Sequence, residues 1–341
     1  MRAASNVLIL STFSHKEREQ MLHHENLSDL DKDTMSLDDL FCLVYCTVDD
    51  YYTALVGAQS TLRRSPNGNP LFTDAEVITI ALVGELSSYN SERAWWRHVH
   101  KNYRHLFPHL CCRTRYGRRL RRLKLVMERI RQQLLYQLDV FCDRTRLVDS
   151  FPLRLLRLPR LSGSSCPFEY AASTGYCPSL KEYYYGFKFH LLTDVRGIPV
   201  AFVLTPAFPH DSKGLPQLLN ELIELQMYPC TLVIIGDKAY IGKDYARQLQ
   251  ESYGIELLAI QPKRDKDLPE TAANQMFKKI RKIIETTNSI MTTTLNANWT
   301  YCRSIQGLLT KIVSKMMACN LANYFNSLMK QPLLEIKEFA N

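Results

Sequence analysis

A short, uninterrupted apolar segment, TLVIIG at residues 231–236, restricts the folds open to this chain. Continuous apolar strands are typical of sheets that are covered on both faces, whereas sheets with one wet face alternate apolar and polar residues. A helical pattern, LPQLLNELIEL, precedes the segment, and a second helical pattern at residues 243–253 and a strand pattern, IELLAIQP, follow it. The sequence therefore predicts an α/β protein whose sheet is enclosed by helices.

Strand patterns also dominate the region between residue 142 and this segment. RTRLVDSFPLRLL predicts a strand, and YYYGFKFHLL and IPVAFVLTP predict a hairpin whose turn is residues 194–197. Helical patterns at residues 275–289 and 304–328 follow, and the apolar face of the second suits a helix that covers the sheet. This element order predicts a ribonuclease-H-like mixed five-stranded sheet flanked by helices.

The part of the chain before residue 142 has helical periodicity instead. A helix is predicted from Leu37, and a second is predicted after Thr73, where TDAE forms a capping box with Glu76. A third helix is expected near Ser91 and a fourth from Thr114 to Leu138. These patterns predict an all-α N-terminal domain over residues 35–140.

Positive charge is concentrated within this helical region. The whole chain carries a formal charge of +9, and eleven Lys or Arg residues face a single acid, Glu128, between residues 101 and 131. Basic side chains bind polyanions by releasing counterions from phosphate, so the region is interpreted as a DNA-binding surface. The alternative is that an arginine-rich helix is only a solvated face. The candidate DNA contacts are Arg118, Arg119, Arg121 and Arg122.

The sequence lacks the apolar segments that mark membrane and secreted proteins. No stretch reaches the ~18 to 20 apolar residues of a membrane span, and the N-terminal apolar run is too short for a signal peptide. The expectation is a cytosolic protein without membrane contact, whose ten cysteines are reduced. Residues 1–34 are expected to be a polar arm that is disordered or lies upstream of the true start.

Three acidic residues interrupt apolar elements. Asp149 lies inside a strand, Asp237 ends the buried strand, and Glu285 lies in a helix. Each one alone has an ordinary explanation, because strand-end aspartates form turns and helical glutamates are usually solvated. A carboxylate within a first strand, however, is desolvated unless cations accompany it. Together the three acids predict a site for two divalent cations that promotes phosphoryl transfer on DNA.

Basic residues near these acids are candidate DNA contacts. Arg281 and Lys278 lie four and seven residues before Glu285 and share its helix face, although Arg281 and Glu285 are as well explained by a salt bridge. Further candidates for contact with the scissile strand are Lys188, Lys238 and His190, which shares a strand face with Lys188; a plain surface role is the alternative for the lysines. Asp211 is interpreted as a helix cap.

Four segments resemble one family of proteins. They are LVDSFPL, the block YYYGFKFHLLTDVRGIPVAFVLTPAFPHD, IIGDKAYIG and RKIIETTNS, and they lie within residues 37–326. Together they resemble the insertion-sequence 982 group of DDE transposases. The resemblance implies a helical DNA-binding part, a ribonuclease-H-like core, Mg²⁺ or Mn²⁺ as cofactor and recognition of terminal inverted repeats. Asp149, Asp237 and Glu285 match the catalytic triad of that group.

The function expected from the sequence is therefore that of a bacterial insertion-sequence transposase. Residues 141–330 are the expected catalytic domain and 331–341 a C-terminal tail. The expected partners are double-stranded DNA, as terminal inverted repeats and as target, and further copies of the chain in a homodimer or larger assembly within the nucleoid. A nuclease or Holliday-junction resolvase on the same fold, and a decayed protein that binds DNA without cutting it, remain as alternatives.

Overall fold

The structure is a computed structural model that describes residues 35–58, 70–87, 89, 91–156, 168, 171–177, 181–226, 232–259, 272–336 and 339. These residues divide into two compact units. One contains the described residues up to Leu134 together with those from Leu309 onward, and the other runs from Leu135 to Leu308. None of the helices within the described ranges is long and apolar enough to cross a membrane.

The first unit is helical, as predicted. Its helices are α1 (Leu37–Ala58), α2 (Asp74–Leu86), α3 (Glu92–Asn102), α4 (Arg113–Arg122) and α5 (Lys124–Gln137). The capping box before α2 is confirmed, because the Thr73 side chain accepts from the Glu76 backbone N–H and the Glu76 carboxylate accepts from the Thr73 backbone N–H. The α3 helix begins after Ser91, whose side chain accepts from the Ala94 N–H.

The single helix predicted from Thr114 to Leu138 is two helices. The buried residue Leu123 separates α4 from α5, and its N–H donates to the carbonyl oxygens of both Arg119 and Leu120. A bond to the residue three positions back tightens the last turn of a helix, as is common at helix ends. The apolar residues on both sides keep helical spacing, so the sequence pattern does not reveal this break.

The last helix, α9 (Ile305–Leu328), contributes to the first unit from the far end of the chain. Lys311 and Lys315, one turn apart, contact the buried Glu85 carboxylate of α2 at 2.5 and 2.7 Å. The Asn320 side chain accepts from the buried Arg131 of α5. The sequence predicted that this helix covers the sheet, and the structure groups its residues from Leu309 onward with the N-terminal helices. An apolar stripe shows that a helix face is buried but not which element buries it.

The second unit contains a mixed sheet of six described strands. They are β1 (Thr145–Leu156), β2 (Ser173–Cys177), β3 (Glu182–Thr193), β4 (Pro199–Pro206), β5 (Leu232–Gly236) and β6 (Ile255–Ala259). Strand β1 lies between antiparallel β3 and parallel β5, and β6 continues the sheet in parallel beyond β5. Strand β2 pairs with the first half of β3, and β4 pairs with its second half.

The order β4-β3-β1-β5-β6 confirms the predicted ribonuclease-H-like arrangement, and β2 corrects the predicted strand number from five to six. Strand β2 is only five residues long, STGYC, so its alternation is too short to stand out from the surrounding polar sequence. It pairs with the part of β3 that precedes the residues paired with β4.

Helices pack on both faces of this sheet. Helix α8 (Ala272–Ser289) packs its Ile280 and Ile284 against Leu147 and Ile235. On the opposite face, Gly214 at the start of α6 (Leu215–Glu224) lies against the ring of His190. Helix α7 (Lys243–Tyr253) connects β5 to β6. The covered faces explain why LVIIG is apolar throughout.

Candidate active site

Two of the predicted acids lie side by side because β1 and β5 are parallel neighbours. Leu147 pairs with Ile235 in this register. Asp149 and Asp237 each follow these partners by two residues, so both lie on the same sheet face at neighbouring positions of strands about 4.8 Å apart. Leu147 and Ile235 share a core cluster with α8, so this is the face that α8 covers.

Both aspartates line one cleft. Arg281 also lines it, and the remaining walls are apolar: Leu147, Val148, Ile235, Gly236, Ile280 and Ile284. Apolar walls exclude water and leave the carboxylates with few groups to solvate their charge. The cleft therefore concentrates negative charge in a poorly solvated place.

Asp149 shows the electrostatic consequence. Burial, and then the negative charges of Asp237 and Asp211, raise its pKa to about 7, although the Ser150 backbone N–H and Arg281 act in the opposite direction. Its Oδ1 accepts from that Ser150 N–H at 2.8 Å. A cation that binds beside a carboxyl group with such a raised pKa stabilises its ionised form, so the charge that burial disfavours is neutralised.

The turn after β5 holds Asp237 in place. Its Oδ1 accepts from the Ala239 N–H at 2.8 Å, and its backbone carbonyl accepts from the Tyr240 N–H at 3.1 Å. The Tyr240 ring lies so close to Gly236 that a Cβ there would approach it to 2.7 Å. Glycine is therefore required immediately before Asp237, where the chain turns out of the sheet.

Glu285 lies on the exposed side of α8, beside the cleft. Its Oε1 accepts from Arg281 Nε at 2.6 Å, and the two side chains are 53% and 58% exposed. The salt bridge that the sequence left open is thus present, and because both groups are solvated it stabilises the fold little. Glu285, foremost by its hydrogen bond, and then more weakly Asp237 and Asp149 raise the pKa of Arg281.

Sequence reasoning missed Asn288, the side chain that joins α8 to β1. Its Nδ2 donates to Asp149 Oδ2 at 2.8 Å. Its Oδ1 is buried and has no hydrogen-bond partner among the described residues. Extending the helix face of Arg281 and Glu285 by one turn points to Asn288, so the spacing already contained the signal.

The donor set suits a hard divalent cation. Mg²⁺ and Mn²⁺ prefer carboxylate and carbonyl oxygens, and Asp149, Asp237, Glu285 and the unpartnered Asn288 Oδ1 offer only such atoms. No three acidic, histidine or cysteine side chains among the described residues are already grouped to hold an ion. Glu285 instead forms an exposed ion pair with Arg281.

The structure corrects several predictions about supporting residues. His190 is fully buried and bonds Thr205 Oγ1 at 2.8 Å, so it does not contact DNA from the surface. Asp211 caps no helix: His210 caps that turn, and Asp211 forms an ion pair with Lys188 at 2.7 Å. The Lys188 ammonium also donates to the Pro209 carbonyl. Leu191 pairs with Asp149 and lies on the same sheet face. Lys188 and His190 lie on the opposite face, because they are an odd number of residues from Leu191 along β3.

The side chains of Lys238 and Lys278 lie outside the described residues. On α4, Arg118, Arg121 and Arg122 are exposed, whereas Arg119 is buried. Its guanidinium pairs with Asp74 at 2.6 Å and lies over the Phe72 ring. The prediction that Arg119 contacts DNA was therefore wrong, since it shares the inward face of α4 with Tyr116 and Leu120.

Comparisons with known proteins identify relatives of this chain. A profile of the family described as "Transposase DDE domain" matches residues 141–321. The transposase for insertion sequence element IS1106 of Neisseria meningitidis serogroup B is 28% identical over 152 residues, which are 43% of this chain and 49% of that protein. The chain thus spans about half the length of this curated relative.

Two solved structures were also matched at 13% identity and a TM-score of 0.22. They are the Mos1 transposase paired-end complex with left transposon end, where the match covers 73% of this chain and 86% of that one, and a pre-cleavage Mos1 transpososome, where it covers 84% and 86%. The family profile covers more than half of the 341 residues. The chain therefore belongs to the transposase DDE domain family.

Proposed function

We propose that this protein is an insertion-sequence transposase that cleaves DNA at terminal inverted repeats and joins the ends to target DNA. The observation that carries the proposal is the pairing of β1 with β5, which brings Asp149 and Asp237 together in one cleft, where burial destabilises the charge of Asp149. Family membership and the IS1106 relative support the same function. Within the family, the motifs around the three acids resemble those of the insertion-sequence 982 group, and this is the group proposed for the chain.

Asp149, Asp237 and Glu285 are the proposed ligands of two Mg²⁺ or Mn²⁺ ions. Bound there, the ions supply activation of the attacking hydroxyl and stabilisation of the leaving oxygen. Asp149 and Asp237 contribute carboxyl groups held in place by the sheet and the turn after β5, and Glu285 contributes the mobile carboxylate from α8. When Glu285 turns inward, it releases the Arg281 guanidinium, which then pairs with a DNA phosphate at the mouth of the cleft.

The proposed chemistry has two displacements. Water attacks the phosphodiester at the element end, the bond from phosphorus to the 3′ oxygen breaks, and a free 3′ hydroxyl remains. That hydroxyl then attacks a target phosphodiester and displaces another 3′ oxygen. The apolar walls of the cleft exclude bulk water from both steps.

The N-terminal helices, within residues 35–140, are the proposed DNA-binding part. Arg118, Arg121 and Arg122 form an exposed basic face on α4, and Glu128 on α5 is occupied by the buried Arg131. Cations on an exposed helix face attract phosphate. The division into a DNA-binding part at 35–140 and a catalytic part at 141–330, a cytoplasmic nucleoid location and a homodimer or larger assembly belong to this proposal.

The test uses purified full-length protein and DNA that carries the element's own ends, with Mg²⁺, Mn²⁺ or EDTA. Wild type should nick the ends only with metal, and Asp237→Asn should abolish nicking. The matched control is Asp244→Asn, because Asp244 is an exposed aspartate on α7 outside the cleft. Its activity should equal that of wild type.

The products distinguish the competing functions. Joined products with target DNA support a transposase, whereas cleavage without joining indicates a nuclease or resolvase on the same fold. Binding of the ends by wild type and Asp237→Asn without any cleavage would show that the acids no longer support chemistry.

A further inference from the structure

The side chain of Asn288 is half-buried at the edge of the core beneath the cleft. It lies one turn after Ile284, which belongs to the core beneath the cleft. Its buried Oδ1 has no partner among the described residues, and an unsatisfied buried oxygen costs free energy. Such a group is retained where it serves a function.

The amide nitrogen of Asn288, in contrast, has a hydrogen-bond partner, the Asp149 carboxylate. An ionised carboxylate accepts but does not donate, so the nitrogen is the atom that faces Asp149 in the form that binds a cation. This N–H bond to Oδ2, together with the Ser150 N–H bond to Oδ1, contacts both oxygens of Asp149. Each oxygen can accept a further contact, so the carboxylate is held in one orientation while it can still bind a cation.

The helix that carries Asn288 is itself anchored to the sheet. The hydroxyl of its buried neighbour Thr287 donates to the Gly197 carbonyl oxygen at 2.8 Å, in the turn between β3 and β4. This bond fixes the rotation of α8 next to Asn288 without involving any acid of the cleft. The amide donor is thus placed before a cation arrives, as preorganisation of a binding site requires.

We propose that Asn288 is a positioning residue that holds the Asp149 carboxylate in its cation-binding orientation. The inference rests on the proposed function, because it takes Asp149 to be a metal ligand. Hydrogen-bond donors to ligating carboxylates typically change metal affinity by about 10- to 100-fold when they are removed. Asn288 is expected to act on affinity more than on the rate with metal bound.

The experiment measures Mn²⁺ binding to metal-free full-length protein, by the electron paramagnetic resonance signal of free Mn²⁺. Asn288→Ala and the nearly isosteric Asn288→Leu both remove the donor, and Leu keeps the volume filled if Ala impairs folding. Thr286→Ala is the matched control, because Thr286 is exposed on the same helix and its hydroxyl donates to the Lys282 carbonyl of that helix. Thermal unfolding verifies that each variant is folded.

We expect both Asn288 variants to bind Mn²⁺ about 10- to 100-fold more weakly, and Thr286→Ala to bind like wild type. In the DNA cleavage assay, the Mn²⁺ concentration for half-maximal rate should rise by the same factor, and the rate at saturating Mn²⁺ should largely recover. A purely structural role would not produce this separation.

Other outcomes overturn the inference in distinguishable ways. Folded Asn288 variants that bind Mn²⁺ like wild type, or an equal loss in Thr286→Ala, reject the positioning role and leave the proposed function intact. If wild type itself binds no Mn²⁺, the proposed metal site is wrong and the role of Asn288 is rejected with it.

Discussion

At the scale of single residues, the surroundings of a side chain decide its role more than its type does. Arg119 and Arg121 lie two positions apart on α4, yet one is buried against Asp74 and the other is exposed. Two positions along a helix turn a side chain by more than half a revolution. The arginine count of this helix therefore overstates the number of cations available to DNA.

Substituting these two arginines should separate stability from DNA binding. Arg119→Ala removes the cation that neutralises buried Asp74, so the free energy of unfolding should fall by about 3 kcal/mol or more. Arg121→Ala should change it by less than about 0.5 kcal/mol. In DNA-binding titrations at several salt concentrations, Arg121→Ala should lower the salt slope by about 1. A large stability loss in Arg121→Ala would contradict this assignment.

His190 should make stability depend on pH. Burial lowers its pKa to about 4 from an ordinary value of 6.5, so the unfolded chain takes up the proton first as pH falls. Neutral His190 makes its full contribution to the free energy of unfolding above pH 6.5. As pH falls through 4, this contribution of up to about 3 kcal/mol is lost. Urea unfolding of His190→Gln across this range should therefore show a shallower decline than wild type. Parallel curves would show that His190 is not responsible.

At the scale of elements, short and tightly turned segments depart most from what local patterns predict. Strand β2 has too few residues to show its alternation, and Leu123 divides a helix whose apolar spacing continues unbroken. The turn after β5 differs, because Gly236 marks it in the sequence. Its tight packing against Tyr240 links the backbone geometry there to the position of Asp237.

Gly236→Ala should damage both the fold and the site. The added Cβ would lie 2.7 Å from the Tyr240 ring and 3.1 Å from a Val148 methyl group, so the free energy of unfolding should fall by ~1–3 kcal/mol. Cleavage of end DNA should fall as well, because Asp237 must shift. Gly57→Ala is the matched control, since Gly57 lies in a helix and a Cβ there meets no atom within 4 Å.

Urea denaturation and the cleavage assay check both parts of this prediction. Gly57→Ala should be neutral or slightly stabilising, because alanine is a better helix former than glycine. Equal stability of the two glycine variants would mean that Tyr240 can move away at little cost.

At the scale of the whole molecule, the two ends of the described chain contribute to one unit. Helix α9 joins the N-terminal helices through two lysines that contact Glu85. Burial alone would raise the pKa of Glu85, but the charges and hydrogen bonds of Lys311 and Lys315 together lower it. The first unit is therefore held partly by an ionised group in its interior.

Glu85→Gln should weaken this unit by about 3 kcal/mol or more, because it removes the negative charge that neutralises two ammonium groups. Since the folded pKa is lowered, the stabilisation is present at neutral pH and is lost as pH falls below 4.5 and through the folded pKa. Urea unfolding at pH 7 should show the full difference between Glu85→Gln and wild type, and acid should shrink it. Glu92→Gln, at an exposed glutamate of α3, should lose no more than about 0.5 kcal/mol.

The sequence by itself determined the local elements and the residues suited to chemistry. The capping box at Thr73, the β3–β4 hairpin and the apolar strand β5 follow from interactions among near neighbours, so their patterns are visible in short windows. The ribonuclease-H-like order followed from these elements in sequence. Asp149 and Asp237 stood out because a charged residue in an apolar strand is unfavourable without a partner.

Only the tertiary structure decided which distant residues meet. Asn288 and Asp149 are 139 residues apart, Lys315 and Glu85 are 230 apart, and Arg119 and Asp74 are 45 apart. Helical and strand periodicities show which face of an element is buried, but they do not name the element that covers it. The cleft, the burial of Arg119 and the position of α9 depend on which element covers each face, and this is decided by the packing of the whole chain.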